Sequence, residues 1–180
     1  MMYKVLVDFW FSEESSRYWF NSTREFDQQL LAEYGTYWQQ AKQGGLDHWR
    51  ESALGSLALV ILLDQIPLNI FRGKLDSFST EAQSIEVARA AIDNGFDAEL
   101  TAQQKSFLYM PFMHSENLQD QALALELFDQ PGLEGNLKFS KHHYGIVERF
   151  GRFPHRNEIL GRVSSQAETE YLNSKEAFTG

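Results

Sequence analysis

The stretch SALGSLALVILLDQIP, residues 52–67, constrains this chain more than any other. Leu57 to Leu63 is an unbroken apolar run, and it is flanked by Ala53, Leu54 and Ile66. The residues around it suit a helix better than a strand. A helix apolar on nearly all sides must lie inside a protein, with other elements packed around it. The pattern predicts a buried central helix from about Ala53 to Ile66, stopped by Pro67. The apolar run falls far short of the roughly 20 residues a membrane span needs, so no membrane partner is expected.

Asp64 stands near the C-terminal end of that helix, where the helix dipole disfavours an anion. A buried carboxylate there needs a cation. The sequence offers Arg72 locally, or Arg149 or Arg152 from a later helix, as its partner.

Helix signals recur elsewhere and strand signals are scarce. STREFDQQLLAEYG pairs Ser22 with Glu25 in capping-box spacing, and Gly35 reads as a stop before a second short helix ending at Gly44 or Gly45. STEAQSIEVARAAIDNG is amphipathic through Ala82, Ile85, Ala88 or Arg89, and Ile92. Thr101 and Gln104 make another capping box, with Pro111 near the helix stop. NLQDQALALELF turns Leu118, Leu125 and Phe128 toward a core. LKFSKHHYGIVERFG ends at Gly151, RNEILGR is a short helical turn capped by Asn157, and Ser165 with Glu168 caps a last helix. About nine helices result, an all-α class in one domain spanning residues 1–180. Only four prolines and no Gly/Ser-rich linker argue against a boundary.

Charge is distributed unevenly. The chain carries −9 overall, which disfavours nucleic acid as a partner. Residues 138–162 nevertheless hold six Lys and Arg against two Glu, a local excess of +4 that leaves −13 for the rest. Three of five histidines, His142, His143 and His155, also fall there. The helical stripe Phe139, His143, Ile146, Val147 and Phe150 faces a core, whereas His142 and Arg149 share an adjacent stripe with Gly145. Gly145 in mid-helix leaves room for a packed neighbour or a ligand. In RFGRFPHRN, Gly151 permits a turn and Pro154 fixes it, holding Arg152, His155 and Arg156 in set directions. Planar guanidinium forks suit carboxylate or phosphate. They serve equally well as clamps on the protein's own carboxylates.

A second polar cluster, YMPFMHSENLQDQ, offers His114, Ser115 and Glu116 around a helix start after Pro111. Capping accounts for Ser115 and Glu116 but leaves His114 unexplained. The ligand-binding candidates are thus Arg149, Arg152, Arg156, His142, His114, Glu116, Asp64 and Arg72. The leading reading is a binding module for an anionic small molecule or a peptide carboxylate. A hydrolase with His114 or His155 as general base is the alternative. A third reading makes the whole polar cluster structural scaffold. No metal site and no cofactor are expected, because no H-x-x-x-H or H-E-x-x-H pair occurs and cysteine is absent. The lack of cysteine also fits a reducing, cytoplasmic compartment.

VLVDFWF, LALVILLDQIPLNIFRG, FLYMPFMHSENLQDQ and RFGRFPHRNEILGR together resemble the signature segments of a bacterial family without assigned function, domain of unknown function nine-two-four. The resemblance runs from about Val5 to Leu172. It implies a compact, tetratricopeptide-like α-α superhelix of antiparallel helix pairs, and no activity. Leu68 departs from the pattern, which implies a basic residue there. A superhelix of that kind carries a concave face suited to peptides.

Overall fold

The structure is a computed structural model that describes residues 1–178, and among these it contains helices and turns but no strand. Nine helices follow in order: α1 Met2–Trp10, α2 Glu13–Ser16, α3 Arg24–Lys42, α4 Ala53–Ile70, α5 Glu81–Asp93, α6 Ala102–His114, α7 Leu118–Phe128, α8 Glu134–Phe150 and α9 Gln166–Leu172. Helix α4 is the hub, packed by α1, α3, α5 and α6. Its Leu57, Ala58, Val60, Ile61, Leu62 and Ile66 have no exposed surface. Truncating any of the large ones to Ala removes on the order of 2–5 kcal/mol. The 18 residues of α4 reach a mean hydropathy of 1.7, enough by length and composition to cross a membrane. Yet 83% of them are buried inside this protein, so α4 is a core helix here.

Pro67 does not stop α4. The helix widens to a π turn over Ile61–Gln65, with the Ile66 N–H donating to the Ile61 carbonyl, and then continues to Ile70. In an unbroken α-helix, residue 67 would donate its N–H to the carbonyl of Leu63. Proline has no N–H to give. The hydroxyl of Thr80, at the start of α5, donates to Leu63 O instead at 2.6 Å. A buried carbonyl is thereby satisfied from outside the helix. Close packing marks the other end. A Cβ on Gly55 would meet Trp49 O at 2.1 Å, so only glycine lets α4 lie against the Asp47–Glu51 turn.

Helix α3 passes through Gly35, because its buried stripe of Phe26, Leu30, Tyr34, Trp38 and Ala41 is continuous across that position. Burial of such side chains outweighs the roughly 1 kcal/mol a helical glycine costs. The cap is Thr23, whose hydroxyl accepts from Phe26 N, while Ser22 donates to Asp27. Pro111 likewise sits inside α6, which runs on to His114. On α5 the buried face is Ser84, Val87, Ala88 and Ala91, one position off the expected stripe. On α7 it includes Ala124 and Phe128 but leaves Leu118 exposed. The capping boxes at Thr101/Gln104 and Ser165/Glu168 form as their spacing predicts.

The C-terminal part carries a small second core of Ile146, Val147, Phe153 and Tyr171, bordered by Phe150, Leu172 and Phe178. As expected, His143 is buried there, while Phe139 is exposed. Gly151 ends α8 at φ 72°, a left-handed conformation that favours glycine. Residues 154–156 then make one 3-10 turn. RNEILGR makes a single turn, closed by the Leu160 N–H to the Arg156 carbonyl at 2.9 Å, but Asn157 is no N-cap: its side chain donates to Ser164 and accepts from Arg162.

Candidate functional site

The arginines after α8 converge on carboxylates far away in the chain. Arg152 makes a two-pronged pair with Glu168, Nε to Oε1 at 2.6 Å and Nη2 to Oε2 at 2.9 Å, and also donates to Val163 O. Glu168 thus caps α9 and receives an arginine at once, and that arginine holds its pKa down at about 2. Arg162 forks onto Glu116 at 2.6 and 2.9 Å and also reaches Phe153 O. Glu116 completes the knot by accepting the Phe153 N–H at 2.8 Å. Burial pushes the Glu116 carboxyl up, but Arg162 and the Phe153 N–H outweigh it and hold it below the usual range. Arg156 is 6% exposed and lies between the rings of Phe78 and Phe153. It donates to Glu81 Oε2 and to the His114 carbonyl, each at 2.8 Å. Three arginines therefore fasten one turn to α5, to the α6–α7 link and to α9.

Arg149 differs. It is exposed, pairs with no carboxylate among the described residues, and has its Cζ over the Phe150 ring, 4.7 Å from the centroid. It forms one wall of an open groove of about 470 Å³ lined by Phe150, Arg152, Ser165, Ala167 and Glu168 as well. The gap expected beside Gly145 is open space, since a Cβ there would touch nothing within 4 Å.

Asp64 is met by a histidine rather than by an arginine. His114 Nδ1 lies 2.9 and 3.1 Å from the two Asp64 oxygens, and Gln65 Nε2 donates to Oδ2 at 2.5 Å. Asp64 rides on the π turn of α4, and His114 closes α6. Beside them lies a cavity of about 10 Å³, lined by Asp64, Glu81, His114, Arg156, Ser77, Phe78, Leu63 and Leu68. Burial pushes the Glu81 carboxyl above its ordinary value even with Arg156 beside it.

The remaining candidates stand apart. Arg72 is exposed and turns to Asp27 on α3 and to Asn69. His142 is exposed on α8. His155 sits in the second core, where burial first and then Arg156 push its pKa down to about 4, and its Nδ1 has no partner among the described residues. Among those residues, no group of three or more His, Asp or Glu is arranged to hold a metal. Two residues now seen to matter were not candidates: Glu81 is an acid in the first turn of a helix, and Glu168 read only as the capping-box partner of Ser165. Their partners lie 75 and 16 residues away.

The comparisons with known proteins agree with this architecture. No curated protein matches the chain. A solved structure of a protein of unknown function from Agrobacterium tumefaciens superposes with a TM-score of 0.91 at 37% identity, covering 96% of this chain and 97% of that one. The model for the family described as "Bacterial protein of unknown function (DUF924)" matches residues 6–176. The chain belongs to that family.

Proposed function

We propose that the protein is a binding module for a carboxylate group, presented by a small molecule or by a peptide C-terminus, in the groove between α8 and α9. One observation carries this reading. Of the arginines at 149, 152, 156 and 162, only Arg149 has no carboxylate partner among the described residues, and it lines the open groove. The contact with the Phe150 ring limits the side-chain entropy lost on binding. Arg152 also lines the groove, with its charge shared with Glu168. Arg152, Arg156 and Arg162 serve mainly as clamps.

The groove must work against the chain's overall charge of −9, so binding is local, weakened by salt, and in the millimolar range of about 4 kcal/mol. The successive packing of α5 on α6, α6 on α7 and α7 on α8 is compatible with a tetratricopeptide-like stack, whose repeated helix pairs suit peptide ligands. A cytoplasmic location belongs to the same proposal and rests on composition.

The test is an NMR titration of the full chain with acetate, then with an acetylated dipeptide bearing a free or an amidated C-terminus. Amide shifts confined to residues 149–152 and 163–168 are expected for acetate and the free peptide only. Arg149→Ala should weaken both by roughly tenfold. Equal shifts with the amidated peptide, or an unchanged Arg149→Ala titration, would refute it.

A further inference from the structure

We infer that Asp64, His114, Glu81 and Arg156 form an acid–base site that hydrolyses a small ester or amide with water as the nucleophile. The reasoning begins with the ring of His114. Its Nδ1 faces both oxygens of a buried carboxylate, a contact that in the neutral imidazole places the proton on Nδ1 and leaves the lone pair on Nε2. Nε2 makes no hydrogen bond among the described residues, and the side chain is 18% exposed. A carboxylate behind an imidazole supports the positive charge that forms when the ring takes a proton. Asp64 is itself held by Gln65, on a π turn, a distortion often found at functional sites.

The adjoining cavity holds about one water. A serine nucleophile does not fit. The Ser77 hydroxyl, on the cavity wall, donates to Phe71 O, and that of Ser115 donates to Asp120. Water in the cavity is the remaining nucleophile beside His114. The cavity is also lined by Glu81, its carboxyl pushed upward by burial, and by Arg156. Arg156 keeps one donor, Nε, buried and without a partner among the described residues. An unpaired buried donor on a nearly enclosed guanidinium is costly unless an acceptor comes to it. Leaving such a donor and an ion pair inside a protein is poor design for stability alone.

In the reaction, His114 Nε2 takes a proton from water while the water oxygen forms a bond to the acyl carbon. The carbonyl oxygen gathers negative charge, which Arg156 stabilises. The intermediate then expels the alcohol or amine, breaking its bond to the acyl carbon, and the His114 imidazolium gives the proton it took from water to that leaving group, while Glu81 holds Arg156 in place. Ester or amide plus water gives acid plus alcohol or amine, with no other reactant. The substrate approaches from the rim, where the side chains of His114 and Glu81 are 18% and 22% exposed.

The test uses the full chain with p-nitrophenyl acetate and 4-nitroacetanilide as probes. On at least one, turnover per His114 should exceed that of free imidazole at equal concentration. His114→Gln should lower it by at least about 100-fold with circular dichroism unchanged. Asp64 acts through His114, so Asp64→Asn should lower kcat and move the acidic limb of the pH–rate profile to lower pH, and Asp64→Glu should restore part of both. A rate no greater than imidazole on both probes overturns the inference. So does a folded His114→Gln enzyme with undiminished turnover, or an Asp64→Asn pH profile that does not move.

Discussion

Replacing Thr80 with Val tests how α4 survives its proline. Thr80 is 1% exposed, and valine has nearly its shape, so packing is preserved and only hydrogen bonds are lost. Two groups then lose their partner. One is the Leu63 carbonyl, bonded at 2.6 Å, whose usual donor is absent at Pro67. The other is the indole N–H of Trp38, which donates to Thr80 Oγ1 at 3.3 Å. A buried polar group left unpaired costs about 1–3 kcal/mol. The carbonyl should carry most of the loss, because its bond is the shorter, and the total should be about 3 kcal/mol. For a chain of this size that is a fall in Tm of roughly 6–12 °C. Urea unfolding followed by circular dichroism measures the change, and the m-value should stay constant if the native state keeps its compactness. Thr80→Ser keeps the hydroxyl and should lose only about 1 kcal/mol for the missing methyl. A Thr80→Val protein within about 0.5 kcal/mol of the original would show that the Leu63 carbonyl does not depend on this hydroxyl, and would remove the account of how the π turn is held.

Gly145 offers a substitution of the opposite sign. A Cβ there meets nothing within 4 Å and the site is exposed, so Gly145→Ala should stabilise α8 by about 1 kcal/mol, whereas Gly151→Ala, forced to φ 72°, should destabilise by about 1–2 kcal/mol; thermal melts distinguish the two. The pH dependence follows from His143 and His155, both pushed down to about 4 chiefly by burial. The unfolded chain binds these protons near the ordinary value of about 6.5, so stability is full above that pH and falls as pH drops toward 4. Glu168, at about 2, adds a loss that begins as pH falls through the ordinary carboxylate range and runs down to about 2, and Glu81, shifted the other way, offsets part of it. His155→Gln should flatten the decline between pH 6.5 and 4 in denaturant titrations at stepped pH, and an unaltered slope would show that His155 is not what acid attacks.

What was legible in the chain depended on how far the determining contact lies. The central helix was legible because burial follows from the composition of α4 itself, and two capping boxes because both members sit within one turn. The helix stops at Gly35 and Pro67 were misread because what carries the chain past them is tertiary: the stripe from Phe26 to Ala41 against the core, and a hydroxyl at residue 80. The same distance hid the arginine partners. Local charge pattern showed where the cations gather, but the choice among Glu81, Glu116 and Glu168 is made by folding alone. Asp64 is the most instructive case. Electrostatics called for a cation near the buried carboxylate, but the partner the fold supplies is a histidine, and the chemistry turns on that side chain. An arginine would have neutralised Asp64 permanently, whereas a histidine 50 residues away retains a second nitrogen with a lone pair. The difference between a clamp like Arg152–Glu168 and a pair able to move a proton therefore rests on one contact, between α4 and the last residue of α6.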